Sequence, residues 1–86
     1  TKSLARVLGP EVRINAVCPG FIQGEWLRQG MGPEVYDRTQ AFLEGATPLK
    51  RTATADTVAE AIIMLITSAS LVTGETLLLD GGHHLL

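Results

Sequence analysis

Leu77, Leu78 and Leu79 follow one another in the stretch "ETLLLD", and Gly81-Gly82 come directly after it. Successive side chains of a strand point to opposite faces, so an unbroken apolar run needs cover on both faces. That pattern belongs to a strand inside a parallel sheet with helices above and below. Glu75 to Asp80 is therefore read as such a strand. Parallel strands cannot be joined by a tight turn; they need a long crossover, usually a helix. The chain has to supply an earlier strand and an intervening helix.

Both are present. Val12, Ile14 and Ala16 alternate with Arg13, Asn15 and Val17, which predicts a strand over Val12 to Val17. Thr54 to Ser68 reads as the clearest helix, with Val58, Ile62, Leu65, Ile66 and Ala69 at helical spacing. Thr54 suits the N-cap, and Asp56 lies in the first turn, where the helix dipole favours a negative charge. Ile63 and Met64 widen the apolar face, so this helix is expected to pack on two sides. Upstream, Leu4, Ala5, Val7 and Leu8 form one side of a short helix that Gly9-Pro10 stop. Gly24 to Thr47 reads as an irregular stretch punctuated by glycines and prolines, with room for a helix from Pro33 to Leu43. Helix, strand, loop, helix, strand makes one right-handed β-α-β unit in a single α/β domain spanning residues 1–86.

The first strand ends abruptly at Cys18-Pro19-Gly20, yet apolar Phe21 and Ile22 follow where a surface turn would carry polar residues. Open parallel sheets bind ligands beyond the carboxyl ends of their strands, so this break is the predicted ligand edge. Cys18 alone, flanked by apolar residues and with no His nearby in sequence, reads as a packed small hydrophobe. Adjacent His83 and His84 make a poor metal chelate on extended chain, and no metal site is read.

Composition narrows the partners. The chain has 86 residues, a net charge of −2, and no basic cluster beyond Lys50-Arg51, which argues against nucleic acid and anionic membrane. Its apolar runs are too short for a membrane span. At 45% hydrophobic and 19% charged, it is apolar for its size and is expected to be covered by more protein. The opening "TKSLARVLGP" lacks the apolar core of a signal peptide, and a lone cysteine fits a reducing, cytoplasmic setting.

"RINAVCPGFI", followed much later by "VTGETLLLDGG", resembles the C-terminal part of the short-chain dehydrogenases/reductases, and "TKSLARVLGP" resembles the end of their catalytic helix. The resemblance implies the last two strands of a Rossmann-like, doubly wound parallel sheet with a crossover helix and a lid segment. It implies an NAD or NADP cofactor and a small alcohol or carbonyl substrate. Pro19 and Gly20 match the family's backbone turn beside the nicotinamide, and Ile22 matches the position whose backbone groups meet the carboxamide. Glycine admits a flat ring close to the backbone. Gly24 stands where the family often has a cofactor-contacting Thr, and Gln23 is put forward in its place. The lid match makes Trp26, Leu27, Met31 and Phe42 candidates to cover an apolar substrate, or to pack the loop down.

The family's catalytic Tyr, its Lys four residues on, the catalytic Ser and the glycine-rich loop have no counterpart. Tyr36 is followed at that spacing by Gln40. No catalytic residue is assigned, and the isolated chain is expected to be inactive, completed by the remainder of the same enzyme. In the family the last helix and strand meet symmetry mates. That implies a homodimer or homotetramer with Ile63, Met64 and the strand ending at Asp80 near the axis. A non-catalytic module, for oligomerisation or for a nucleotide-like ligand, is the alternative.

Overall fold

Residues 20–75 separate the two strands, and Arg13 and Asn15 help bring them together. The computed structural model describes residues 1–86. Its elements are helix α1 (Lys2–Leu8), strand β1 (Ala16–Pro19), helices α2 (Glu25–Met31), α3 (Pro33–Ala46) and α4 (Ala55–Thr67), strand β2 (Thr76–Leu79) and a closing 3-10 turn (His83–Leu85). β1 and β2 pair in parallel, Ala16 opposite Thr76 through Pro19 opposite Leu79.

Both strands are shorter than the sequence pattern predicts. Residues 12–15 lie outside β1; one backbone bond, from Gly74 N to Ile14 O at 2.7 Å, still joins the two segments there, and side chains supply the rest. The Arg13 guanidinium donates to the carbonyls of Leu65 and Ile66 in α4 and of Ala69 and Val72 just beyond it, at 2.8 to 3.2 Å. Leu65 and Ile66 lie in the last turn of α4, whose carbonyls a helix end leaves without backbone partners, so Arg13 closes the C-terminus of α4. Asn15 bridges the next stretch, donating from Nδ2 to Val72 O and accepting from Glu75 N, each at 3.0 Å.

The N-terminus of α4 is closed by a reciprocal pair. Thr54 Oγ1 accepts from Thr57 N at 3.2 Å, and Thr57 Oγ1 accepts from Thr54 N at 2.9 Å. This is a capping box with Thr in place of the usual Glu or Gln.

The stretch Gly24 to Thr47 is more regular than expected, forming α2 and α3 almost without a gap. Gly30 and Gly45, read as loop punctuation, lie inside these helices with open space around them. Only Gly32 is a true break: it closes α2 and opens α3 with φ +90°, a backbone that suits glycine. Pro33 then takes the first helical position, as expected.

Cover on both faces of β2 is not achieved within this chain. Leu78 is 49% exposed, and Cys18, its register partner on β1, is exposed as well, contrary to the packed position expected of it. The physical reason is that no element of the chain lies over that face. The same openness appears globally. Only Ala5, Tyr36 and Thr47 are fully buried. The accessible surface is 6166 Å², against about 4,900 Å² for a folded monomer of this mass. The radius of gyration is 15.5 Å, against about 12 Å for a compact chain of this length.

Arg13→Lys keeps the charge but loses the planar fork that reaches several carbonyls at once. It should lower unfolding stability by about 2–3 kcal/mol, since bonds from charged donors are each worth about 1.5–3 kcal/mol and lysine retains some of them. Urea unfolding checks this; a variant with unchanged midpoint would show that the fork does not hold the helix end.

Candidate functional site

The ladder continues one step past β1, where Gly20 N donates to Leu79 O at 3.2 Å. A side chain on Gly20 would meet Asp80 Cβ at 3.3 Å. A side chain here would press on Asp80, which would have to give by a few tenths of an ångström, independently of any ligand. The following loop is tied down by a parallel bridge between Ile22 and Ala53. Ala53 N donates to Phe21 O at 3.0 Å, and Gln23 N donates to Ala53 O at 2.8 Å. In this register Ala53 uses both of its peptide groups. Ile22 uses neither: its N–H and C=O bond to nothing in the chain. A free donor and a free acceptor thus sit side by side on one residue.

Next to them is a cavity of about 290 Å³ lined by Gly20, Ile22, Gln23, Gly24, Trp26 and Leu27. Five of the eight residues singled out from sequence meet there. Pro19 stands one residue away at the end of β1. Met31 and Phe42 lie outside this cavity; Phe42 is 65% exposed on α3. Gln23 is partly engaged elsewhere, its amide nitrogen donating to Thr52 Oγ1 at 2.8 Å.

The residue that sequence reading missed is Tyr36. It was set aside for lacking a lysine partner, and it is one of the three buried residues. Its hydroxyl accepts from Gly24 N at 3.0 Å, just ahead of α2. Its ring lies 5.1 Å from that of Phe21, tilted by 46°. Arg28 of α2 sits 5.5 Å from the ring centre and pairs with Asp37 of α3 at 2.7 Å. Tyr36 thus joins the loop, Gly24 and α2 from one position on α3. A tyrosine one turn into a helix carries no sequence signal for this, because its partners come from other elements.

Asp80 is structural. Oδ1 accepts from Gly82 N and Oδ2 from His84 N, both at 3.0 Å, while His84 Nδ1 approaches both oxygens at 3.0 Å. Partial desolvation raises its pKa, but the hydrogen bonds from the His84 ring and the two backbone amides, with the His84 charge, outweigh that and hold it below its ordinary value. Its grip on the closing turn is thus present above the ordinary carboxylate pKa and lost as the pH falls through the lowered one. Gly82 next to it has φ +91°, and a Cβ there would lie 2.8 Å from Pro48 Cγ, so both backbone and space require glycine.

Comparison with known proteins accounts for this geometry. A family profile described as enoyl-(acyl carrier protein) reductase matches residues 1–84. The chain belongs to the short-chain dehydrogenase/reductase family. It is 41% identical over its whole length to a Streptomyces violaceoruber protein assigned as ketoacyl reductase 2 of the granaticin polyketide synthase, covering 33% of it. It is 37% identical over 76 residues to 2-(S)-hydroxypropyl-CoM dehydrogenase 3 of Xanthobacter autotrophicus, covering 86% of this chain and 30% of that one. The chain spans about a third of the length of the curated relatives it matches.

Among solved structures, a small-chain dehydrogenase in complex with NADPH superimposes with a TM-score of 0.88 and 31% identity, over all of this chain and 38% of that one. The ligand-free aldohexose dehydrogenase of Thermoplasma acidophilum gives 0.87 and 31%, over all of this chain and 36% of that one. The chain thus matches a part of the short-chain dehydrogenase/reductase fold, with its paired strands, the crossover α4 and the helices α2 and α3. No helix is long and apolar enough to cross a membrane.

Tyr36→Phe removes one hydroxyl and leaves the Gly24 amide without its acceptor, while the ring still packs on Phe21. The expected result is a loss of about 1 kcal/mol in stability and faster hydrogen exchange at Gly24. Exchange at Gly24 as slow as in the wild type would show that this amide is held by other contacts.

Proposed function

We propose that these residues form the nicotinamide side of an NAD(P)-dependent oxidoreductase that interconverts a hydroxyl and a carbonyl group. The observation that carries the reading is the free peptide pair of Ile22 at the carboxyl end of a parallel strand, bordering a cavity. A carboxamide is both acceptor and donor, which matches a free N–H and C=O on one residue. The residues present fit the group. Pro19 and Gly20 set the backbone path, Ile22 offers the two polar contacts, and Gly20 and Gly24 put no side chain into the cavity. When bound, the cofactor supplies hydride transfer. The chain's own part is to fix the ring by backbone and to cover it with α2. Tyr36 is no proton donor in this reading, because it is buried and its hydroxyl serves the Gly24 amide. The relatives' names, ketoacyl reductase and hydroxypropyl-CoM dehydrogenase, are consistent with a hydroxyl/carbonyl reaction.

Amide exchange tests this without disturbing the fold. In the natural-length protein the Ile22 amide should exchange freely and become protected on adding NADPH or NADH. The analogue with a carboxylate in place of the carboxamide should bind more weakly, because it brings no donor to Ile22 O and sets a charged oxygen against that carbonyl. No protection by NADPH or NADH, or equal affinity for the analogue, would remove Ile22 from the cofactor site.

We also propose that the natural-length protein is a homodimer or homotetramer joined through α4 and β2. Ile63, Met64 and Ile66 are 58%, 42% and 68% exposed on one helix, more apolar surface than the sheet covers. A twofold contact places the same patch on both subunits, so one change acts twice. Met64→Glu should shift the protein to a smaller species in size-exclusion chromatography with light scattering. A variant of wild-type mass would mean that this face is covered within the subunit.

A further inference from the structure

We infer that Glu44 of α3 is a positioning residue for the strand-end loop: acting through Thr52, it fixes which end of the Gln23 amide is turned to the cavity. This rests on the cofactor reading of that cavity and adds the polarity with which Gln23 meets the ligand.

The contacts form one chain. Gln23 Nε2 donates to Thr52 Oγ1 at 2.8 Å. The Thr52 hydroxyl donates in turn to Glu44 Oε1, a long bond at 3.5 Å. Gln40 Nε2, one turn back on α3, donates to the same carboxylate oxygen at 2.9 Å. These steps join the loop after β1, the loop before α4 and helix α3. All four residues are half-buried. The backbone holds the start of the chain in register, since Gln23 N donates to Ala53 O at 2.8 Å. Consecutive residues Thr52 and Ala53 thus grip the side chain and the peptide of Gln23.

The direction of the chain has one source. A carboxylate only accepts, and a threonine hydroxyl has a single proton to give. With that proton turned to Glu44, Thr52 Oγ1 is left to accept, so Gln23 must turn its NH2 group there. The network around an amide, not the amide itself, decides which end points where. Reversing Gln23 would set its Oε1 against Thr52 Oγ1 with no proton between them. Oε1 is therefore the end turned away from Thr52, on a side chain that lines the cavity. A ligand meets an acceptor at Gln23 next to the free C=O of Ile22. A primary amide brings two N–H donors to such a pair of acceptors, and a methyl ketone of the same shape brings none.

The test uses the natural-length protein. Affinities are measured for NADH and NADPH and for their 3-acetylpyridine analogues, in which a methyl ketone replaces the primary amide. The wild type should prefer the amide. Glu44→Ala and Thr52→Val should each lower that preference about fivefold, the effect of one hydrogen bond. Glu44→Gln and Thr52→Ser, which keep an acceptor oxygen and a hydroxyl, should retain it. A merely structural loss would weaken both kinds of dinucleotide alike and leave their ratio where it was. A second readout needs no ligand. The side-chain amide protons of Gln23, followed by NMR, should exchange with water faster in Glu44→Ala than in the wild type or in Glu44→Gln. An unchanged preference in Glu44→Ala and Thr52→Val overturns the proposal, and so does Gln23 exchange at the wild-type rate in Glu44→Ala. If no dinucleotide binds, the cofactor reading falls, and the exchange rates alone decide whether Glu44 holds Gln23.

Discussion

Joining two parallel strands across so much intervening chain has an entropic cost that grows slowly with length but must be met at the outset. The ladder between Ala16–Pro19 and Thr76–Leu79 has only four paired positions to meet it. Arg13 and Asn15 add the rest. Arg13 ties the approach to β1 to the end of α4, and Asn15 ties it to the residues just before β2. The crossover helix, its exit loop and both strands thus converge on two side chains. The position of the Gly20–Ile22 loop follows from that convergence, because the loop continues β1 directly.

Glycine at position 20 then answers to two neighbours. Asp80, just after β2, comes within 3.3 Å of where a Cβ would be, and the cavity is lined by Gly20 as well. A side chain at this position would press on Asp80 even in the unliganded protein. The same economy appears at Gly82, where the turn demands a positive φ and Pro48 fills the space a side chain would need. The Asp80-Gly81-Gly82 sequence is therefore a closing device in which the carboxylate caps the turn that the glycines allow.

Much of this was legible in the sequence, and the reasons differ by element. The run Leu77 to Leu79 and the periodicity of α4 are local patterns, and both elements stand where those patterns put them. The end of β1 was legible because Pro19-Gly20 breaks a strand, and a cavity lined by Gly20 lies there. The stretch Gly24 to Thr47 was misread because glycine was taken as a loop marker at positions 30 and 45, where the helices instead carry a penalty of about 1 kcal/mol each relative to alanine. The strand limits were misread because Arg13 and Asn15 alternate correctly for a strand yet direct their polar groups to a distant helix end. Tyr36 was missed because its role depends on Gly24, Phe21 and Arg28 meeting in space, which no spacing rule encodes.

The free peptide groups of Ile22 join these threads. An unpaired N–H and C=O cost little while water reaches them, and much once a lid excludes it. Here helix α2 begins just after Gly24, whose amide is held by the buried Tyr36 hydroxyl, and it carries Trp26 and Leu27 to the same cavity. Cover over an empty cavity would strand both groups of Ile22, whereas a ligand that brings both an acceptor and a donor would satisfy them. The register of one parallel bridge, Ile22 opposite Ala53, is what leaves these groups on Ile22 rather than on a neighbouring residue of the loop.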